Sequence, residues 1–114
     1  MHELGVVFSV IRQVENVCAE NAVTKVNKVV LELGEVSAVI PSYLVDCWQW
    51  AIKRTQILQQ TELEIRTIDA VTYCENCGKE YPTVQHGKTC PFCGSEKTYL
   101  LRGNEFIIKE LEVE

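Results

Sequence analysis

Cys74-Glu75-Asn76-Cys77-Gly78 and Cys90-Pro91-Phe92-Cys93-Gly94 are two Cys-x-x-Cys-Gly stretches separated by residues 79–89. Four thiolates arriving as two short pairs suit a tetrahedral ion, because each turn presents two sulfurs to one side of the metal. The glycine behind each second cysteine permits the positive φ that a tight knuckle needs. Zinc is the expected ion, held structurally by Cys74, Cys77, Cys90 and Cys93, with no position left open for a substrate. Iron in a rubredoxin-like site uses the same ligands and stays open as an alternative. So does redox disulfide chemistry, although that task needs only one Cys-x-x-Cys pair. A module of this size, residues 71–100, buries too little apolar surface to fold unaided, so metal binding supplies part of its folding free energy.

Outside that module the chain reads as alternating helix and strand. Leu4, Phe8, Ile11, Val14 and Cys18 (or Val17) recur at helical spacing, and Asn21 is a plausible stop. In residues 26–34, Val29, Leu31 and Leu33 alternate with Lys28 and Glu32 and end at Gly34, the pattern of a strand. Pro41 opens a second helix, with Leu44, Cys47 or Trp48, Ala51 and Thr55 on its inner stripe and Lys53 and Arg54 near its end. After the polar Gln59-Gln60-Thr61, residues 62–67 alternate as a half-solvated strand. Short strands are expected at residues 71–73 and 98–101, and Arg102-Gly103-Asn104 is a turn. In the last segment, 105–114, Leu111 and Val113 differ in parity from Phe106 and Ile108. Either both faces are partly covered or a bulge switches the phase. So apolar a strand is expected to return to the first sheet, which makes the cysteine module an insertion.

The expected fold is therefore α+β in two layers, with two helices on a sheet of about three strands and an inserted zinc ribbon. Residues 1–70 and 101–114 form the main domain and 71–100 the ribbon.

Composition narrows the function. The chain has 114 residues, 46% of them hydrophobic, and a net charge of −5. An acidic protein is poorly matched to a phosphate backbone, and within the module Lys79, Lys88 and Lys97 are cancelled by Glu75, Glu80 and Glu96. This weighs against a zinc-ribbon adaptor for nucleic acid, the rival reading, which also covers protein partners. No apolar run reaches membrane-spanning length. The opening Gly5–Ile11 run follows Glu3 rather than a basic region, unlike a secretory signal. With most cysteines at metal spacing, a reducing cytoplasm is expected.

Few other residues carry chemistry. No nucleophile triad, phosphate loop or carboxylate pair is evident, and an enzyme is not expected. Cys18 and Cys47 read as small buried hydrophobes, Trp48 and Trp50 as core and rim, and Glu32, Glu35, Asp46 and Glu62–Glu64 as solvated charge. His86, between the knuckles, is a loop histidine or a hydrogen-bond partner of a metal-bound sulfur. Met1-His2-Glu3 is more unusual. An α-amine, the His2 backbone nitrogen and the His2 imidazole can chelate one ion through fused rings, and the Glu3 backbone nitrogen can complete a planar square. That donor set suits Ni(II) or Cu(II) and not zinc. Residue chemistry alone favours an ordinary terminus with a stray histidine over the chelate.

Taken together, Met1-His2-Glu3-Leu4, Leu31-Glu32-Leu33-Gly34-Glu35-Val36-Ser37, Pro41, both Cys-x-x-Cys-Gly knuckles and Glu110-Leu111-Glu112-Val113-Glu114 resemble the HypA/HybF hydrogenase maturation proteins, which are small nickel metallochaperones. The resemblance implies Ni(II), as transported cargo, bound by the Met1 α-amine, His2 and the Glu3 backbone. It also implies structural Zn(II) on the four cysteines. The partners it implies are a maturation GTPase and the large subunit of NiFe hydrogenase, with neither nucleic acid nor membrane. A monomer, or a weak homodimer formed by exchange of the ribbon, is expected.

Overall fold

The computed structural model describes residues 3–114. In chain order the elements are α1 (Glu3–Glu20), β1 (Val26–Gly34), α2 (Pro41–Ala51), a 3-10 turn (Ile52–Arg54), β2 (Glu62–Ile68), β3 (Val71–Cys74), β4 (Glu80–Pro82), the one-turn α3 (Thr83–His86), β5 (Thr98–Arg102) and β6 (Phe106–Val113). One three-stranded sheet has the order β2-β1-β6 and a second the order β4-β3-β5. The last strand thus returns to the first sheet beside β1, and the cysteine-bearing segment is inserted between β2 and β6. This is the expected mixed α and β architecture. Among the described residues no helix is long and apolar enough to cross a membrane.

The chain divides into two compact units. The first comprises Met1–Leu31, Val39–Arg66 and Ile107–Glu114. Its core is built from Val7, Val10, Val14 and Cys18 of α1, Val29, Val30 and Leu31 of β1, Leu44 and Trp48 of α2, and Leu58, all essentially without solvent exposure. Burying side chains of this size stabilises by about 1.5–3 kcal/mol each.

The helix faces differ from the expected stripes. In α1 the buried residues are Glu3, Val7, Val10, Ile11, Val14 and Cys18, whereas Leu4 is 40% and Phe8 42% exposed. An apolar first half, Leu4 to Ile11, offers two overlapping helical registers. The chain buries the one that continues through Val14 and Cys18. Leu4 and Phe8 lie one position round, and Phe8 packs edge-on to Trp50 of α2 at 6.3 Å between ring centroids. In α2 the inner positions are Leu44, Trp48 and Ala51; Cys47 is only half-buried, and Thr55 lies beyond the helix. The cause is the tightening to 3-10 geometry at Ile52–Arg54, after which Thr55 turns extended. The Thr55 hydroxyl donates to the Ile52 carbonyl and accepts from the Leu58 amide, which leads Leu58 into the core. Trp50 is 46% exposed, with the Arg54 guanidinium 3.6 Å from its ring centroid.

A buried polar chain joins α2, the segment before β2, and β1. Trp48 Nε1 donates to the Thr61 carbonyl at 3.0 Å, and Thr61 Oγ1 donates to the Val26 carbonyl at 2.6 Å. On the polar face of the sheet, Lys28, the third residue of β1, reaches Glu64 (3.2 Å) and Glu62 (3.8 Å) of β2 and Glu112 (3.3 Å) of β6. Hydrogen bonding to Glu64, then to Glu112, holds the Lys28 ammonium above its ordinary pKa. Arg66, then Lys28, holds Glu64 below its own. Along β6 the half-buried residues are Phe106, Ile108 and Leu111, with Lys109 and Glu110 both exposed. The phase of burial therefore changes between Ile108 and Leu111.

The second unit comprises Glu32–Ala38 and Thr67–Phe106. The amide of Gly34 donates to the Glu105 carbonyl and that of Val36 to the Gly103 carbonyl, each at 2.8 Å. A Cβ on Gly34 would overlap the Gly103 carbonyl, so this approach of two backbones requires glycine.

Candidate metal centre

Two backbone turns of the same design build the cysteine cluster. In the first, the Gly78 amide donates to the Cys74 carbonyl at 2.9 Å and the Cys74 amide to the Lys79 carbonyl at 3.0 Å. In the second, Gly94 donates to Cys90 and Cys90 to Ser95, both at 2.9 Å. Gly78 and Gly94 have φ of 74° and 75°, the left-handed conformation expected from their position after each pair. A side chain there would be strained.

The strands bring the two turns together. β3, which ends at Cys74, pairs antiparallel with β4 (Thr72 opposite Tyr81) and with β5 (Tyr73 opposite Tyr99, Cys74 opposite Thr98). The Tyr73 and Tyr99 rings pack at 5.4 Å. Cys74, Tyr81 and Cys90 form a small buried cluster under the site, and the Tyr81 hydroxyl donates to the Gly87 carbonyl at 2.9 Å.

The four ligand atoms of Cys74, Cys77, Cys90 and Cys93 all lie within 4.8 Å of one another. Across the two turns, Cys74 Sγ is 3.6 Å from Cys93 Sγ, and Cys77 Sγ is 3.6 Å from Cys90 Sγ. Sulfurs at about 2.3 Å from one tetrahedral ion stand about 3.8 Å apart, so the cluster fits such an ion. Cys74 and Cys90 are buried, Cys77 and Cys93 exposed.

The thiols of Cys93 and Cys77 are shifted in opposite directions. Cys93 is drawn down to about 6, first because the Asn76 side-chain amide donates to its sulfur and then because the Ser95 backbone amide does. For Cys77 the Lys79 backbone amide favours the thiolate. Desolvation and the protons shared with Cys90, Cys74 and Cys93 outweigh it and push that thiol up to about 11. A cation among the sulfurs replaces those shared protons, since the ligands of a metal are thiolates.

In the sequence Asn76 is only the third residue of a knuckle, with nothing local to mark it. Its Nδ2 lies 3.4 Å from Cys93 Sγ, the sulfur-bonding role considered above for His86. His86 instead ends α3 on the surface and packs edge-on against Tyr81, ring centroids 5.9 Å apart. Of the expected nickel ligands, Met1 and His2 lie outside the described residues. Glu3 is buried, and its carboxylate accepts a hydrogen bond from the Ile40 amide at 3.3 Å, a contact that residue spacing does not reveal.

Comparison with known proteins places this geometry. The hydrogenase maturation factor HypA of Albidiferax ferrireducens is 33% identical over 114 residues, spanning all of both chains. That of Trichodesmium erythraeum is 35% identical over 115 residues, covering all of this chain and 96% of the relative. The solution structure of the Ni metallochaperone HypA from Helicobacter pylori superposes with a TM-score of 0.72 at 27% identity, covering 99% of this chain and 97% of that one. A second solution structure, of HypA protein, gives 0.74 at 27% identity over 100% and 97%. The family model described as hydrogenase/urease nickel incorporation, metallochaperone, matches residues 1–113, and the chain belongs to this HypA family.

Proposed function

We propose that the chain carries Ni(II) to a nickel enzyme under assembly, with NiFe hydrogenase as the receiver. The observation that carries this reading is the match to a nickel-incorporation family over residues 1–113. The metal is taken by the Met1 amine, the His2 backbone nitrogen and imidazole, and the Glu3 backbone nitrogen, a planar nitrogen set that Ni(II) favours. A chelate at a chain end stays accessible, which handover requires.

The cysteine cluster has a separate task. Cys74, Cys77, Cys90 and Cys93 hold Zn(II) as a structural ion, because four thiolates close its coordination shell. The ion ties β3 to the second knuckle and supplies folding free energy the small sheet lacks, on the order of 10–16 kcal/mol of apparent binding. No catalytic step is assigned to it. The thiolates stay reduced in the cytoplasm. There the chain works with a maturation GTPase and the hydrogenase large subunit, as a monomer or a weakly associated dimer.

The test is transfer of radiolabelled nickel to a metal-free large-subunit precursor, with the GTPase present. The native protein should load the precursor and His2→Ala should not. Equal loading by both refutes terminal carriage. Metal analysis of the purified chain should return about one zinc per chain, and much less refutes the structural site.

A further inference from the structure

β6 is an edge strand of the β2-β1-β6 sheet, so one side of its backbone has no strand partner. An open edge is a template for another strand, and edges are commonly blunted with charge. On the opposite edge, β2 carries Glu62, Glu64 and Arg66, all drawn into ion pairs. β6 carries Lys109, Glu110 and Glu112. Glu110 pairs with Arg66 at 3.7 Å and Glu112 with Lys28 at 3.3 Å, which puts both carboxylates on the polar face. Lys109 has no ion pair among the described residues. Successive strand residues point to opposite faces. Ile107 and Lys109, either side of half-buried Ile108, therefore also lie on the polar face. After the change of phase that face continues with Glu110 and Glu112, while Ile108 and Leu111 turn inward. This order reads the same from either end of residues 107–112. An antiparallel copy that sets Lys109 against Glu110 also sets Ile108 against Leu111 and Ile107 against Glu112, each pair on one face. Strict alternation would instead oppose an inward residue to an outward one. A shift of one step sets Lys109 on Lys109 or Glu110 on Glu110, which like charges disfavour.

We propose that the β6 edge docks a second copy of this chain, antiparallel, with Lys109 of each copy against Glu110 of the other and Ile108 against Leu111. The result is one six-stranded sheet about a twofold axis between residues 109 and 110. Beside this edge, Val14 and Val17 of α1 and residues 108–111 of β6 line a groove of about 290 Å³, and Val17 is 44% exposed. A twofold axis normal to the sheet keeps the inward faces of both copies on one side, so the grooves meet over the paired Ile108 and Leu111. One strand pair buries little area and its charge pairs are solvated, so the dimer is weak and salt-sensitive. It stands whether or not the terminus carries nickel.

Sedimentation equilibrium of the zinc-loaded full chain at low salt tests this, on the native protein, Lys109→Glu and Glu110→Lys. The first change sets carboxylate against carboxylate across the pair, and the second sets ammonium against ammonium. Each should weaken self-association about tenfold, with the circular dichroism unchanged. An equimolar mixture of the two should regain it, because the mixed pair again opposes unlike charges. A loss caused by misfolding would not be regained in this way. In a mixture of isotope-labelled and unlabelled native protein, Ile108 of one copy should show NOEs to Leu111 of the other. A native chain still monomeric at about 1 mM overturns the proposal. So does a dimer indifferent to both substitutions, or one whose contacts lie elsewhere, such as an exchanged ribbon. A mixture no more associated than either variant alone overturns it as well.

Discussion

The side-chain amide of Asn76, in the first knuckle, donates a hydrogen bond to the sulfur of Cys93, in the second, at 3.4 Å. A partner of this kind orients a metal ligand and tunes its basicity. Asn76→Ala should keep the fold and the zinc but release the ion to a chelator about tenfold faster, within the roughly 10–100-fold seen for such outer contacts. Unchanged release kinetics would show that the contact contributes nothing to metal retention.

The same contact governs a pH dependence. In the metal-free, reduced protein, Cys93 should lose its proton near pH 6, ahead of Cys77, which is pushed up to about 11. A thiol whose pKa is lower folded than unfolded stabilises the fold above the unfolded value, and loses that contribution as pH falls toward about 6. The rate of alkylation at Cys93 against pH, followed by mass spectrometry, should show this midpoint, and Asn76→Ala should move it upward. An unmoved midpoint would assign the shift to another cause.

Thr61 sits on the segment before β2, 2% exposed, with its hydroxyl on the Val26 carbonyl and its own carbonyl on Trp48. Thr61→Val keeps the shape and removes the donor. Loss of a buried partner should cost about 1–3 kcal/mol in chemical denaturation with no change in slope.

Leu44 is buried as its spacing predicts and Leu4 is not, so the pair tests the observed helix faces. Leu44→Ala empties a fully buried position and should cost about 2–5 kcal/mol. Leu4→Ala, at 40% exposure, should cost less than about 1 kcal/mol. Equal losses would restore Leu4 to the core.

These cases also show what was legible before the structure. The cysteine spacing and trailing glycines carry the whole backbone design of the knuckles, since it is local and repeats. The alternation in β1 and β2 and the apolar β6 pointed to the sheet, although β1 buries Val29, Val30 and Leu31 in succession and not in strict alternation. The face of α1 was not legible: with apolar residues at Leu4, Val6, Val7, Phe8, Val10 and Ile11, periodicity supports two registers, and only the partner helix decides. Thr61 and Asn76 look like ordinary polar residues, and their roles come from atoms far along the chain. Glu3 is the strongest case. Its backbone was singled out as a ligand, whereas its side chain caps a helix that begins at Pro41. Long-range capping has no sequence spacing. The one-turn α3 is too short to have a period.

The central claim is that nickel is held by the amine, His2 and the Glu3 backbone. Nickel titration of the native protein beside a form carrying one extra glycine before Met1 tests it most directly. The insertion moves the amine away from His2 and leaves every side chain in place. The account predicts that the extended protein, like His2→Ala, loses high-affinity nickel binding while keeping its zinc; equal nickel affinity in the native and extended proteins would contradict it.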